Sequence, residues 1–298
     1  MVDPMRTTGL ALAALSLTLT AAPAFARADG TTGNDVISGN ARSNHIMALG
    51  GRDRVTAKGG NDTVYAGKGS DVVTGDDGDD WITAQPGNDW VAGGLGNDRV
   101  DGGQGDDTLY GGEGDDVLSA NVGDDVVYGE AGNDIVGGND GADQLFGGEG
   151  SDKHIGGAGN DWIDGGPGDD GAIQGGPGND VLIDGDGNDT KVKGDEGDDV
   201  VFLGPGADKV FGEQGNDTIY VYPDGVQDRI HCDDPTQNDS GNADRVLFVG
   251  RRDPADVIDY RGSCETVEVV QTPPAGWPYG SVAQRSVMQR TAGTDLLR

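Results

Sequence analysis

An all-β solenoid is the fold this 298-residue sequence predicts, on three observations. Aspartate returns every nine residues, glycine stands two residues before almost every one of them, and a short aliphatic residue stands two residues after. The frame runs through Asp35, Asn44, Asp53, Asp62, Asp71, Asp80, Asp89, Asp98, Asp107, Asp116, Asp125, Asp134, Asp143, Asp152, Asp161 and Asp170. After two one-residue slips it continues through Asp180, Asp189, Asp199, Asp208 and Asp217. Of these 21 positions, 20 are Asp and 20 carry the upstream Gly, so the period belongs to the fold rather than to one loop. A globular enzyme has no reason to space anionic side chains and flexible turns this way, whereas a stack of identical coils does.

The first 26 residues read as an export signal. Arg6 follows Met5, an apolar stretch runs from about Gly9 to Ala22, and Ala24-Phe25-Ala26 is an A-x-A cleavage site. The apolar run is too short to span a bilayer, and no second one exists, so membrane insertion is not expected. The expected product is secreted and extracellular, beginning near Ala26.

Residues 27–220 form the repeat array. The unit reads Gly-Gly-x-Gly-x-Asp, then any residue, an aliphatic and any residue, as in 93–98, 102–107, 111–116 and 156–161. Glycine lacks Cβ and takes positive φ freely, so such a stretch curls tightly with its carbonyls facing one point. Carbonyls and carboxylates are the ligands of Ca2+, which takes six to eight oxygens, more than one turn supplies. On these motifs the chain resembles the RTX (hemolysin-type) calcium-binding repeat family. The resemblance implies a right-handed parallel β-roll in which two nonapeptides make one 18-residue coil. Turns 18 residues apart then stack on one edge and share an ion.

Under that arrangement one edge stacks Asp35, Asp53, Asp71, Asp89, Asp107, Asp125, Asp143, Asp161, Asp180, Asp199 and Asp217. The other stacks Asp62, Asp80, Asp98, Asp116, Asp134, Asp152, Asp170, Asp189 and Asp208, headed by Asn44. At most about 18 ions fit between adjacent turns. Their charge of about +36 would offset a formal net charge of −33. Neutral Asn44, and Arg42 in place of the usual glycine, mark the first turn of its edge as weak or empty. The aliphatic residues, Ile37, Ile46, Val55, Val64, Val73 and their successors, form two inward ladders. About ten coils at 4.8 Å each give a rod about 50 Å long, too thin to enclose a pocket.

After Asp217 glycine thins out, and Arg245–Val249 and Thr266–Val270 read as strands. A solenoid needs its last coil covered, so residues 221–271 are expected to be a small C-terminal β cap. Cys232 and Cys264, the only cysteines, read as a disulfide in an exported chain, closing a loop of about 33 residues and contributing roughly 3–4 kcal/mol. Two free buried thiols are the alternative. Residues 272–298, opening with Pro273-Pro274, read as a disordered tail.

The register slips in 171–174 and 190–193, each one residue longer than usual, with the aliphatic moved to Ile173 and Val192. One coil earlier His154 occupies an inward position. These irregularities predict a column of β-bulges that keeps the turns aligned. A lone histidine with no second one nearby makes a poor transition-metal site. Trp90, Trp162, Tyr110, Tyr128 and Phe146 fall on one outward face. Such a stripe marks a glycan or protein surface, although β-propensity equally favours these residues on any sheet. The threonines are too scattered for a flat ice-binding array.

With 34% hydrophobic residues, 5% aromatics and 56 glycines, a conventional core is not available. The acidity excludes nucleic acid as a partner and makes calcium ions the natural one. Enzyme readings fail on inventory. Only His45, His154 and His231 occur, without H-E-x-x-H, and there is no G-x-S-x-G elbow. Two functions from different classes follow. One is a secreted, non-enzymatic protein that folds on binding several extracellular Ca2+ ions. The other is a calcium-rigidified cell-surface adhesin or spacer that presents its aromatic face to envelope polysaccharide or a protein.

Overall fold

The computed structural model describes residues 16–18, 26–232, 243–258, 264–274 and 277–278. Most of the expected export signal, including Ala24 and Phe25, and most of the expected tail lie outside the described residues.

Every strand pairs in parallel with the strand one coil away, which gives a 14-stranded and a 13-stranded sheet. The chain alternates between them, strand by strand. Together they form an all-β parallel solenoid of about 13 coils, with no helix among the described residues. The register is set by the repeat: Leu109 sits between Val91 and Val127, and Leu118 between Val100 and Val136. Side chains alternate across each strand. In Thr108–Glu113 the pattern is half-buried, buried, half-buried, buried, half-buried, exposed.

The predicted inward residues are the core. Ile37, Ile46, Val55, Val64, Val73, Ile82, Val91, Val100, Leu109, Leu118, Val127, Val136 and Leu145 are all at most 1% exposed. One large aliphatic per strand over this stretch is a thin core, and His154 interrupts one ladder between Val136 and Ile173.

Two expectations need amending. The rod has about 13 coils rather than ten, so its length is about 60 Å rather than 50 Å. The added coils come from both ends. Ser16–Thr18 lies along Val36–Ser38, and Ala26–Asp29 along Asn44–Met47. At the other end Arg229–His231, Arg245–Val249, Val257–Ile258 and Thr266–Val270 extend the same two sheets. The segment expected as a cap is therefore built as further coils. Trp277, in the segment expected as a tail, packs edge-on against Phe202 and Tyr220, with centroids 5.8 and 6.2 Å away.

The slips are absorbed beside the turns. His154 pairs with Ile173 and Ile173 with Val192, so the inward ladder stays continuous. The carboxylate bonds of Asp170 and Asp189 to neighbouring coils also persist.

Candidate metal centre

Each turn is shaped by backbone conformation. In Gly93–Asp98, Gly94 and Gly96 have φ of +128° and +123°, in the left-handed region that glycine tolerates. A Cβ on Gly94 would overlap the carbonyl oxygen of Asp76 one coil away, so the stack itself also selects glycine there. Where the equivalent of Gly94 is not glycine, as at Leu49, Lys58, Gln85 and Glu130, the backbone keeps φ between +77° and +86° at a cost in strain.

These turns carry the register aspartates inward. All 20 are at most 3% exposed. In all but Asp35, which heads its column, Oδ1 accepts a hydrogen bond from the backbone N–H of the register residue one coil earlier. Asp116 accepts from Asp98 at 2.7 Å, Asp107 from Asp89 at 2.8 Å and Asp152 from Asp134 at 2.8 Å. The two edges hold the two columns that the 18-residue coil implies. Oδ2 is different: from Asp53 through Asp208 no register aspartate has a hydrogen-bond partner for it among the described residues. A buried, unpartnered carboxylate oxygen is costly, and it recurs along both edges.

What fits beside Oδ2 is shown by the exception. At Asn44 an amide nitrogen stands where the other turns have a carboxylate oxygen. That Nδ2 donates to the carbonyls of Asn40, at 3.1 Å, and Arg42, and weakly to that of Ala57 in the next coil, at 3.4 Å. It also donates to Oδ1 of Asp62 at 2.7 Å. One positively polarised group thus gathers two carbonyls of its own turn with a carbonyl and a carboxylate of the next. A hard cation takes the same oxygens. At the head of the other edge, Oδ2 of Asp35 is satisfied by Thr31, whose N–H and hydroxyl donate at 2.5 and 3.0 Å. Both heads are closed by protein groups, in line with the weak first turn read from Asn44 and Arg42.

The electrostatics agree. Burial, opposed by the backbone hydrogen bond and reinforced by neighbouring carboxylates, pushes Asp107 and Asp199 up to about 8 and Asp80, Asp89, Asp116 and Asp143 up to about 7. A divalent ion between turns relieves both the desolvation and the repulsion.

Four ladder members escape a count by nines. Oδ1 of Asp228 accepts from Asp208 at 3.0 Å, Asp256 from Asp228 at 3.1 Å and Asp244 from Asp217 at 2.9 Å, and Oε2 of Glu265 accepts from Asp244 at 2.7 Å. They lack the glycine two residues upstream, but an aliphatic still stands two residues later: Ile230, Val246, Ile258 and Val267. That was the available signal. Cys232 and Cys264 are joined by a disulfide, Cα–Cα 5.3 Å, between these last coils.

A parallel solenoid with carboxylate columns on both edges is the architecture of a repeat protein built to gather cations. The chain belongs to the RTX calcium-binding nonapeptide repeat family, whose pattern, described as four copies, matches successive segments from 29–64 to 191–220. No curated protein matches it. Among solved structures it is similar to a hyperactive, Ca2+-dependent, beta-helical antifreeze protein from an Antarctic bacterium. That likeness covers 88% of each chain, at 17% identity and a TM-score of 0.44.

Proposed function

We propose that this protein is exported, has no enzymatic activity and folds into a stiff rod when it meets calcium outside the cell. The observation that carries this reading is the pair of columns of buried Oδ2 atoms, from Asp53 through Asp208, with no hydrogen-bond partner among the described residues. Calcium would be held by the register aspartates of adjacent turns together with turn carbonyls of the kind Asn44 engages. The ion's contribution is charge neutralisation and cross-linking of neighbouring coils. Export accords with the Ala24-Phe25-Ala26 motif and with a disulfide that needs an oxidising compartment.

Equilibrium dialysis of the purified protein against calcium tests the reading: uptake of about 18 ions per chain is expected. Uptake of one or two ions would overturn it. Export is tested separately by N-terminal sequencing of the protein recovered from culture medium, which should begin near Arg27.

The aromatic face bears on the adhesin reading. Tyr110, Tyr128 and Phe146 stack with centroids 4.9 Å apart and planes within 13° of parallel, and Trp90 leans on the end of the column at 5.4 Å. Ring faces are what a sugar stacks upon, and here they are occupied by one another. The column ties four consecutive coils together, so the calcium-folded rod is the reading the structure supports best.

A further inference from the structure

One aspartate outside the register sits among the turns. Asp184 lies five residues before Asp189, where other units have glycine, as at Gly93 and Gly165, alanine, as at Ala120, or leucine, as at Leu203. It is fully buried, and its Oδ1 accepts a hydrogen bond from the N–H of Gly204 at 2.7 Å. That bond aims the carboxylate along the edge toward two register aspartates. Oxygens of Asp184, Asp189 and Asp208 lie within 4.8 Å of one another, the one such cluster of three among the described residues. Oδ1 of Asp189 and of Asp208 are engaged by the N–H groups of Asp170, at 2.7 Å, and Asp189, at 3.0 Å. Their Oδ2 atoms are buried and have no hydrogen-bond partner among the described residues.

Three carboxylates around one point, with Oδ2 of Asp189 and of Asp208 left over, call for a cation more strongly than the two that an ordinary pair of turns supplies. Affinity for hard cations rises with the number of charged ligands. We propose that Asp184, Asp189 and Asp208 form a three-carboxylate cation site that is the tightest on this chain and the most selective for highly charged ions. The proposal rests on the calcium reading of the turns and adds to it a site with its own selectivity. In an assembly whose coils stabilise their neighbours, this site fills first and gives folding a fixed starting coil.

Terbium titrated into the calcium-saturated full-length protein tests this while the fold is held constant. The readout is bound terbium luminescence under direct excitation. The wild-type protein should capture one Tb3+ at concentrations roughly tenfold below those needed to displace calcium elsewhere. Asp184→Gly, which restores the residue common at this place, should lose that first event and keep the remainder of the titration. Asp184→Asn keeps an acceptor for Gly204 while removing the charge, and should lose it as well. Identical terbium curves in all three proteins would overturn the proposal alone. Failure of every protein to bind calcium at the start would overturn the calcium reading and the proposal with it.

Discussion

Asp115 and Asp116 are neighbours in one turn and behave as opposites. Asp115 faces solvent, where hydrogen bonds from the N–H and the side-chain amide of Asn133 pull its carboxyl below the usual range. Asp116 faces inward, where burial pushes it up to about 7. The turn thus separates a solvated carboxylate from one that needs a cation. Asn44 tests this assignment, because its amide donates to the oxygens that an ion would otherwise gather. Asn44→Asp should add one calcium ion to the stoichiometry measured by equilibrium dialysis, and an unchanged count would show that the first turn fails for another reason. His154 is a second exception. It is fully buried, neither ring nitrogen has a hydrogen-bond partner among the described residues, and burial pulls its pKa down to about 4, so it stays neutral. His154→Leu should therefore raise stability in saturating calcium by about 1–3 kcal/mol, measured by denaturant unfolding. Leu49 holds a φ of 81°. Leu49→Gly should add about 1 kcal/mol in the same assay, whereas Gly94→Ala should destabilise.

At the scale of turns and strands, the raised pKa values set the dependence on pH. For an inner aspartate such as Asp62, Asp80 or Asp107 the folded pKa, about 6, about 7 and about 8 in turn, lies above the unfolded value of about 3.9. Its contribution to the calcium-free fold is therefore fully present below about pH 4 and is lost as pH rises through 6 to 8. In chelator, acidification from pH 8 to pH 4 should increase the β signal in circular dichroism. In calcium the dependence should reverse, because protons displace the ion. A pH-independent spectrum in chelator would contradict this account. The elements were legible in the sequence wherever Gly and Asp recur together, since the glycines fix the turn and the aspartate fixes the register. Past Asp217 the strands Arg245–Val249 and Thr266–Val270 were still legible, but their place in the two ladders was not. There the coils lengthen, so Asp208 bonds to Asp228, 20 residues on, and Asp217 to Asp244, 27 residues on. A count by nines loses the frame, and this is why Asp228, Asp244, Asp256 and Glu265 were missed and the C-terminal coils were not counted. Asp184 was hidden differently: in so acidic a chain, one carboxylate at a glycine position carries no periodic signal.

Across the whole molecule, stability is a sum of coil-to-coil terms, so damage at one end spreads weakly. Because Cys232–Cys264 lies between the last coils, reducing it in saturating calcium should loosen those coils first and leave the N-terminal ones protected. Hydrogen exchange on oxidised and reduced protein would show this as a gradient. Uniform loss of protection from Asp35 to Asp217, or no change around Asp208 and Asp217, would contradict it. The net charge of −33 makes the same point for the entire rod. Without cations, two columns of carboxylates repel along its full length, and the thin aliphatic core has little with which to oppose them. The most direct test is a calcium titration followed by far-ultraviolet circular dichroism at pH 7.5. The account predicts a chain with little β signal in chelator that folds cooperatively at roughly 10⁻⁴–10⁻³ M calcium. A full β signal in chelator, unchanged on adding calcium, would contradict it.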